Sequence, residues 1–409
     1  MPTDTRPAQT DQTAERYARK AVFAAAIGYG LDGFDLLILS FALTGITASF
    51  GLSDPQAGSL ATLTLLGAVL GGVVFGVLAD RFGRVKILTY SVLIFAVFTG
   101  LSAVATGYWD LATYRFIAGI GIGGEFGIGM TLAAEAVPAR WRARATSWVG
   151  IGFQFGVLAA ALLSAPVIAL FGWRGLFVIG ALPAVYAMIV RRGVREPERF
   201  TQSEGPSPTL RQSLAPLINT RAARRTSLAM VVLTSVQNFG YFGIMTWLPS
   251  YLAKRYEMTL TGSSLWTAVT VAGMMLGIIL FGQLADRVSR RAAFWTFQIG
   301  AALSVLIYSQ ISDPTWLLAA GFVMGAFANG TLGGYGALLA ELYPTHARAT
   351  AQNVLFNIGR GVGGFAPLVI ALLAGSFGFG AALGMLPVIY LLGFAAMFLI
   401  PERRGAELS

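Results

Sequence analysis

Five ionisable side chains stand well inside long apolar stretches of this chain: Asp32, Asp35, Arg115, Glu125 and Arg360. A charge in hydrocarbon is costly, and such residues persist where they pair with one another or line a path for ions. Asp32 and Asp35 are three residues apart, which puts them on one face of a helix. A carboxylate in that setting can exchange its charge for a proton, because the neutral form is much cheaper to bury. The only histidine, His346, lies in a polar connection, so a carboxylate must carry any proton that crosses the apolar region. Asp32 and Asp35 are the leading candidates for such a relay. Glu125, among glycines in mid-segment, reads as a second proton site or as a helix–helix hydrogen-bonding group. Arg115 and Arg360 are the cations available to an anion, since a planar guanidinium grips a carboxylate through two parallel bonds. Arg115 lies about 20 residues from the basic end of its segment, roughly 30 Å along a helix; it is placed to pair with Asp35 or to receive an anion. No acid is near Arg360 in sequence, which assigns it to a bound anion or, alternatively, to an acid of the first or fourth apolar segment.

The elements that hold these residues are apolar helices. The 409 residues are 56% hydrophobic and 12% charged, with a mean hydropathy of +0.68. A soluble domain carries about 25% charged residues, so the expected solvent is lipid. A span needs roughly 20 apolar residues. Twelve candidate stretches lie near 21–46, 56–79, 87–105, 109–134, 146–170, 174–190, 226–252, 264–285, 292–311, 315–340, 350–373 and 380–400. Residues 1–20 are polar and end in Arg16, Arg19 and Lys20 ahead of a full-length apolar segment, the pattern of an uncleaved start. Cysteine is absent, which excludes disulfides and thiolate metal sites.

The net charge of +10 comes from basic connections. With the N-terminus inside, most of the 29 Lys and Arg fall in loops on that side, while the opposite side holds Arg174, Lys254 and Arg255. This is the positive-inside pattern, with both termini cytoplasmic, and it accounts for the charge without nucleic acid.

Residues 193–224, with Ser203, Gly205, Pro206, Ser207 and Pro208, read as a polar linker dividing the spans six and six. One shift of 206 residues relates the halves. It carries Gly76-Val-Leu-Ala-Asp80-Arg81 to Gly282-Gln-Leu-Ala-Asp286-Arg287, Glu135 to Glu341, Pro138 to Pro344 and Arg142 to Arg348. Both copies begin on the same side, so the repeat is parallel about an axis along the membrane normal, the plan of a two-bundle carrier with its site between the bundles. Expected units are a tail at 1–20, bundles at 21–192 and 225–401, the linker at 193–224 and a tail at 402–409. Glu135 and Glu341 are expected as structural partners of loop arginines.

Over its whole length the chain resembles the major facilitator superfamily. The strongest match is Gly76-Val-Leu-Ala-Asp80-Arg81-Phe-Gly83-Arg84-Val-Lys86, similar to the superfamily's conserved loop between its second and third helices. The second copy departs from it, with Ser289 in place of Gly83. The resemblance implies a gate and conformational latch at Gly76, Asp80, Arg81, Gly83, Arg84, Asp286 and Arg287. Asp80 is of a type to sit at the positive N-terminal end of a neighbouring helix. Leu31-Asp32-Gly33-Phe34-Asp35, the segment from Arg115 to Gly127, and Tyr241-Phe242-Gly243 through Thr246-Trp247-Leu248-Pro249 resemble the sialate:proton and aromatic-acid:proton symporters. The tail Pro401-Glu402-Arg403-Arg404-Gly405 is similar to that of sugar porters. The resemblance favours Asp35 as the proton carrier and implies a functional monomer in a bacterial inner membrane.

The 206-residue shift carries Asp32 to Asn238, Asp35 to Tyr241 and Gln154 to Arg360. Titratable acids thus belong to the first half, and neutral hydrogen-bonding groups and one cation to the second. The expected substrate grip is Arg115 and Gln154 against Gln237, Asn238, Tyr241, Asn357 and Arg360, with Phe34, Phe153, Tyr241, Tyr335 and Phe356 as aromatic flanks. The sequence predicts an all-α carrier for a small organic anion driven by a proton gradient, without cofactor or metal. A sugar or neutral-metabolite carrier and a proton-driven efflux pump are the alternatives. The run Gly119-x-Gly121-x-x-Gly124 lies inside an apolar helix and lacks the preceding strand of a dinucleotide site. No Ser-His-Asp set or metal cluster supports an enzyme.

Overall fold

The structure is a computed structural model, and it describes residues 6–182, 185, 210–245, 248, 252, 256, 257 and 260–405. Helices occur in the order α1 (Arg6–Phe50), α2 (Asp54–Phe82), α3 (Arg84–Ser102), α4 (Tyr108–Glu135), α5 (Arg142–Ile179), α6 (Leu210–Ile218), α7 (Arg221–Met245), α8 (Leu260–Arg287), α9 (Arg290–Gln310), α10 (Pro314–Gly330), α11 (Leu332–Leu342), α12 (Arg348–Gly363), α13 (Ala366–Phe377), α14 (Phe379–Gly384) and α15 (Leu386–Ala396). The described residues contain no strand.

Ten helical segments among the described residues are long and apolar enough to cross a bilayer, and Pro166–Ile179 is a shorter apolar one. The expected span at 146–170 runs into the next within α5, where Pro166 and the positive φ of Gly172 (66°) mark the kink between them. The span at 174–190 is described only in part, as is helix 226–252, where Thr246, Trp247 and Pro249 lie outside the described residues. The span at 350–373 is two helices, α12 and α13, broken at Gly364 and Phe365 just ahead of Pro367. The span at 315–340 likewise breaks at Thr331, between α10 and α11. Two segments expected to be irregular are helical: α1 begins at Arg6, ahead of the apolar run, and α6 occupies Leu210–Ile218. Residues 193–209 and 406–409 lie outside the described residues.

Many large apolar side chains point outward, Phe23, Leu162, Leu170, Phe171, Leu228 and Leu372 among them. Water would penalise such a surface and lipid does not. Inside, one core joins the two halves: Tyr29, Phe126 and Phe153 pack with Phe281, Tyr335 and Phe356, and the Phe126 and Phe356 rings stack at 3.4 Å. Between the halves α2 packs on α12, and α5 on α8 and α11.

Candidate functional site

The two aspartates of α1 take different partners. Asp35 is fully buried and bonded twice to Arg115 of α4, Nη2 to Oδ2 at 2.7 Å and Nη1 to Oδ1 at 3.2 Å. Thr99 of α3 adds a hydroxyl donor to Oδ1 at 2.7 Å. The Arg115 guanidinium also lies over the Phe177 ring, 5.8 Å from its centroid. This group is closed within the first half, and Arg115 does not reach the central cavity. The expected pairing of Arg115 with Asp35 is present. The expectation that Arg115 lines a substrate grip has no counterpart in the geometry, because α3 and α5 side chains enclose it.

Asp32 instead reaches across to the second half. Its Oδ2 accepts from Arg360 Nη2 of α12 at 3.0 Å, while Asp32 Oδ1 and Arg360 Nη1 have no hydrogen-bond partner. Arg360 sits over the Phe356 ring at 5.5 Å, with the Tyr29 hydroxyl beside it. Arg360 forms one wall of a narrow cavity of about 20 Å³, room for a water in this closed arrangement, whose other residues include Tyr29, Phe153, Gln237, Asn238, Tyr241, Asn329 and Phe356. Of the expected grip, Gln237, Asn238, Tyr241 and Arg360 therefore meet at one space. Asn238 spends its amide on its own helix, donating to the Thr234 carbonyl at 2.8 Å.

Gln154 and Asn357 are elsewhere. Gln154 is fully buried with both amide atoms unpartnered, and Asn357 donates to the Gly123 and Asn353 carbonyls, each at 2.9 Å. Asn357 thus joins α4 to α12 rather than facing the cavity. Phe34 and Tyr335 also pack away from it; the Tyr335 hydroxyl donates to the Leu233 carbonyl. Glu125 is buried with neither oxygen hydrogen-bonded, within electrostatic reach of Asp32, Arg360 and Asp35. An unpartnered buried carboxylate is tolerable only in its neutral form.

At the basic end of the helices the repeat builds the same device twice. Asp80 accepts from the Ala349 and Thr350 amides, at 3.2 and 2.8 Å, at the N-terminus of α12. Asp286 accepts from the Ala143 and Arg144 amides, at 3.2 and 3.0 Å, at the N-terminus of α5. Each carboxylate lies at the positive end of a helix from the opposite half. Arg84 lies 3.1 Å from Asp80 and 3.5 Å from Glu135, which also takes Arg348; Arg290 bonds Asp286 and Glu341, which also takes Arg142. Glu135 and Glu341 are thus the arginine partners expected. Arg81 and Arg287 point outward from the same corners.

Gly76 lets α2 and α12 touch, since a Cβ there would come within 2.9 Å of the Thr350 Cα. The departure at Ser289 has a local cause. Gly83 turns with a φ of 111°, which disfavours any side chain, whereas Ser289 is extended and caps α9 by accepting from the Ala292 amide. Sequence reasoning left Arg290 out of the latch, although the 206-residue shift carries Arg84 onto it. Thr99, Tyr29 and Asn329 were also missed, being ordinary residues whose partners are distant in sequence.

Comparison with known proteins converges on one group. Residues 25–279 and 256–408 match the Major Facilitator Superfamily. The chain is 55% identical over 400 residues, 96% of its length and 98% of the relative's, to a Haemophilus influenzae protein provisionally named a metabolite transport protein. It is 30% identical to the sialic acid transporter NanX of Escherichia coli, over 91% of each chain. The proton:xylose symporter XylE superposes with a TM-score of 0.82 at 19% identity, over 96% of this chain and 98% of that one.

Proposed function

Because the chain belongs to the major facilitator superfamily, whose members are membrane transporters and not enzymes, we propose that it is a proton-coupled symporter importing a small organic anion through exchange at the Asp32–Arg360 pair. The observation that carries this reading is the half-satisfied pair whose arginine lines the cavity, with one acid oxygen and one guanidinium nitrogen unpartnered. Protonation of Asp32 removes the charge that holds Arg360. The guanidinium then accepts a substrate carboxylate in its place. With the proton and anion both bound, every charge at the centre is paired and the cavity can close. With only one of them bound, an unpaired buried charge opposes closure. The two halves then rock about the cavity, and the latches at Asp80 and Asp286 break and re-form as the basic face opens. This moves the coupled proton from Asp35, which the motif favours, to Asp32. Glu125 is placed to pass that proton on. The relative that handles sialic acid, itself a carboxylate, supports an anionic substrate. The protein works as a monomer in the bacterial inner membrane with both termini cytoplasmic and no cofactor.

The test uses the purified protein in vesicles with an alkaline interior and labelled benzoate and sialate. The expected result is accumulation of at least one acid, abolished by a protonophore and competed by other acids but not by glucose or xylose. Accumulation that survives the protonophore, or competition by the sugars alone, contradicts the proposal.

A further inference from the structure

A relay of amides stands among the cavity residues with Arg360. The Thr331 hydroxyl donates to Gln237 Oε1, and Gln237 Nε2 donates to Asn329 Oδ1 at 2.5 Å. The chain of donors ends at Asn329 Nδ2, which has no partner although Asn329 is 1% exposed. Gln237 and Asn329 both line the cavity. Their anchor, Thr331, is the residue at which α10 stops and α11 begins. A buried amide donor with no acceptor is costly and needs an explanation.

We propose that Asn329 Nδ2 is a specificity donor, held in place by Gln237 and Thr331, for a second oxygen on the substrate. Once the halves move apart and widen it, the cavity then takes an organic acid with two polar groups: a carboxylate at Arg360 and a hydroxyl, carbonyl or second carboxylate at Asn329. Tyr29, Phe153 and Phe356 line the same space and offer aromatic faces to a flat substrate body. The proposal rests on the anion reading of Arg360 and adds to it the chemistry of a second polar contact. A plain monocarboxylate leaves the Asn329 donor unsatisfied and binds more weakly for that reason.

Matched pairs of acids test this. Benzoate and 4-hydroxybenzoate differ in one distal oxygen, and sorbate and trans,trans-muconate differ in a distal carboxylate. Affinities by calorimetry on the purified protein should favour the second member of at least one pair by roughly tenfold, the worth of one good hydrogen bond. In Asn329→Ala that ratio should fall to near one. Asn329→Ser, which keeps a hydroxyl donor, should retain part of it. A merely structural role for Asn329 would weaken both members alike and leave the ratio unchanged, which overturns the proposal. Equal affinities within both pairs, or no binding by any of the four acids, also overturn it. Arg360→Gln separates the two readings: loss of all acid binding upholds the anion site whatever the ratios show. Binding that persists in Arg360→Gln removes the anion reading and this inference together.

Discussion

Asp35 and Asp32 are one helical turn apart on α1, both buried, both paired with an arginine, and unlike in what surrounds them. Asp35 has three donors, and its partner Arg115 comes from the same half of the molecule. Asp32 has one donor, its partner Arg360 comes from the other half, and each of them keeps an idle polar atom. Arg115 keeps its Nε idle, but both oxygens of Asp35 are bonded, and a carboxylate so filled within one half loses by any change, so the pair holds α1 to α4. A half-saturated pair between two bodies, beside a cavity, can trade partners. Charge in the membrane is thus not by itself a sign of transport chemistry; an incompletely bonded carboxylate at the boundary between the halves is the better sign.

That contrast can be broken by experiment, and the largest effect is expected at Arg115. Arg115→Ala strands the Asp35 charge inside a closed bundle, which costs about 3–5 kcal/mol of stability. Thermal unfolding in detergent should show it, and Arg115→Ala with Asp35→Asn together should restore much of the loss. Arg360→Ala should cost less stability, because truncating a cavity-lining side chain would join the space beside Asp32 to the cavity and admit water there, but should weaken acid binding by roughly a hundredfold, or about 3 kcal/mol. Equal destabilisation by the two arginine changes would remove the distinction. The smallest effect is expected at Thr99. Thr99→Val removes one donor from Asp35 and should lower stability by about 1 kcal/mol, leaving the proton-to-acid ratio of uptake unchanged.

The latches sharpen a second comparison, between the two repeats. Glu135→Gln and Glu341→Gln weaken equivalent clusters, so each should raise the accessibility of a cysteine introduced nearby on the basic face. A large effect from only one would show that the repeats carry unequal shares of the closure.

Much of this was legible from residue types. The cost of charge in lipid marks Asp32, Asp35, Arg115, Glu125 and Arg360, and the internal repeat pairs Asp80 with Asp286 and Glu135 with Glu341. The 206-residue shift also carries Arg84 to Arg290, so that miss was avoidable. Partner choice was less legible. The pairing of Arg115 with Asp35 was expected, but nothing in spacing tells that Arg360 meets Asp32, because that contact is 328 residues apart in the chain. Gln154 and Asn357 looked like substrate ligands because they are polar residues on apolar helices. The structure leaves one without a partner away from the cavity and gives the other to a backbone carbonyl of α4, as close helix packing often does. Asn329 carried a weak signal in Asn329-Gly330-Thr331, a polar step with a glycine in an otherwise apolar segment.

The most direct test compares Asp32→Asn with Asp35→Asn in vesicles, reading acid accumulation driven by a pH gradient beside exchange of labelled for unlabelled acid. Asp32→Asn should lose the accumulation and keep the exchange, while Asp35→Asn, once stable enough to reconstitute, should keep both. Gradient-driven accumulation that persists in Asp32→Asn and disappears in Asp35→Asn would contradict the assignment of the coupled proton.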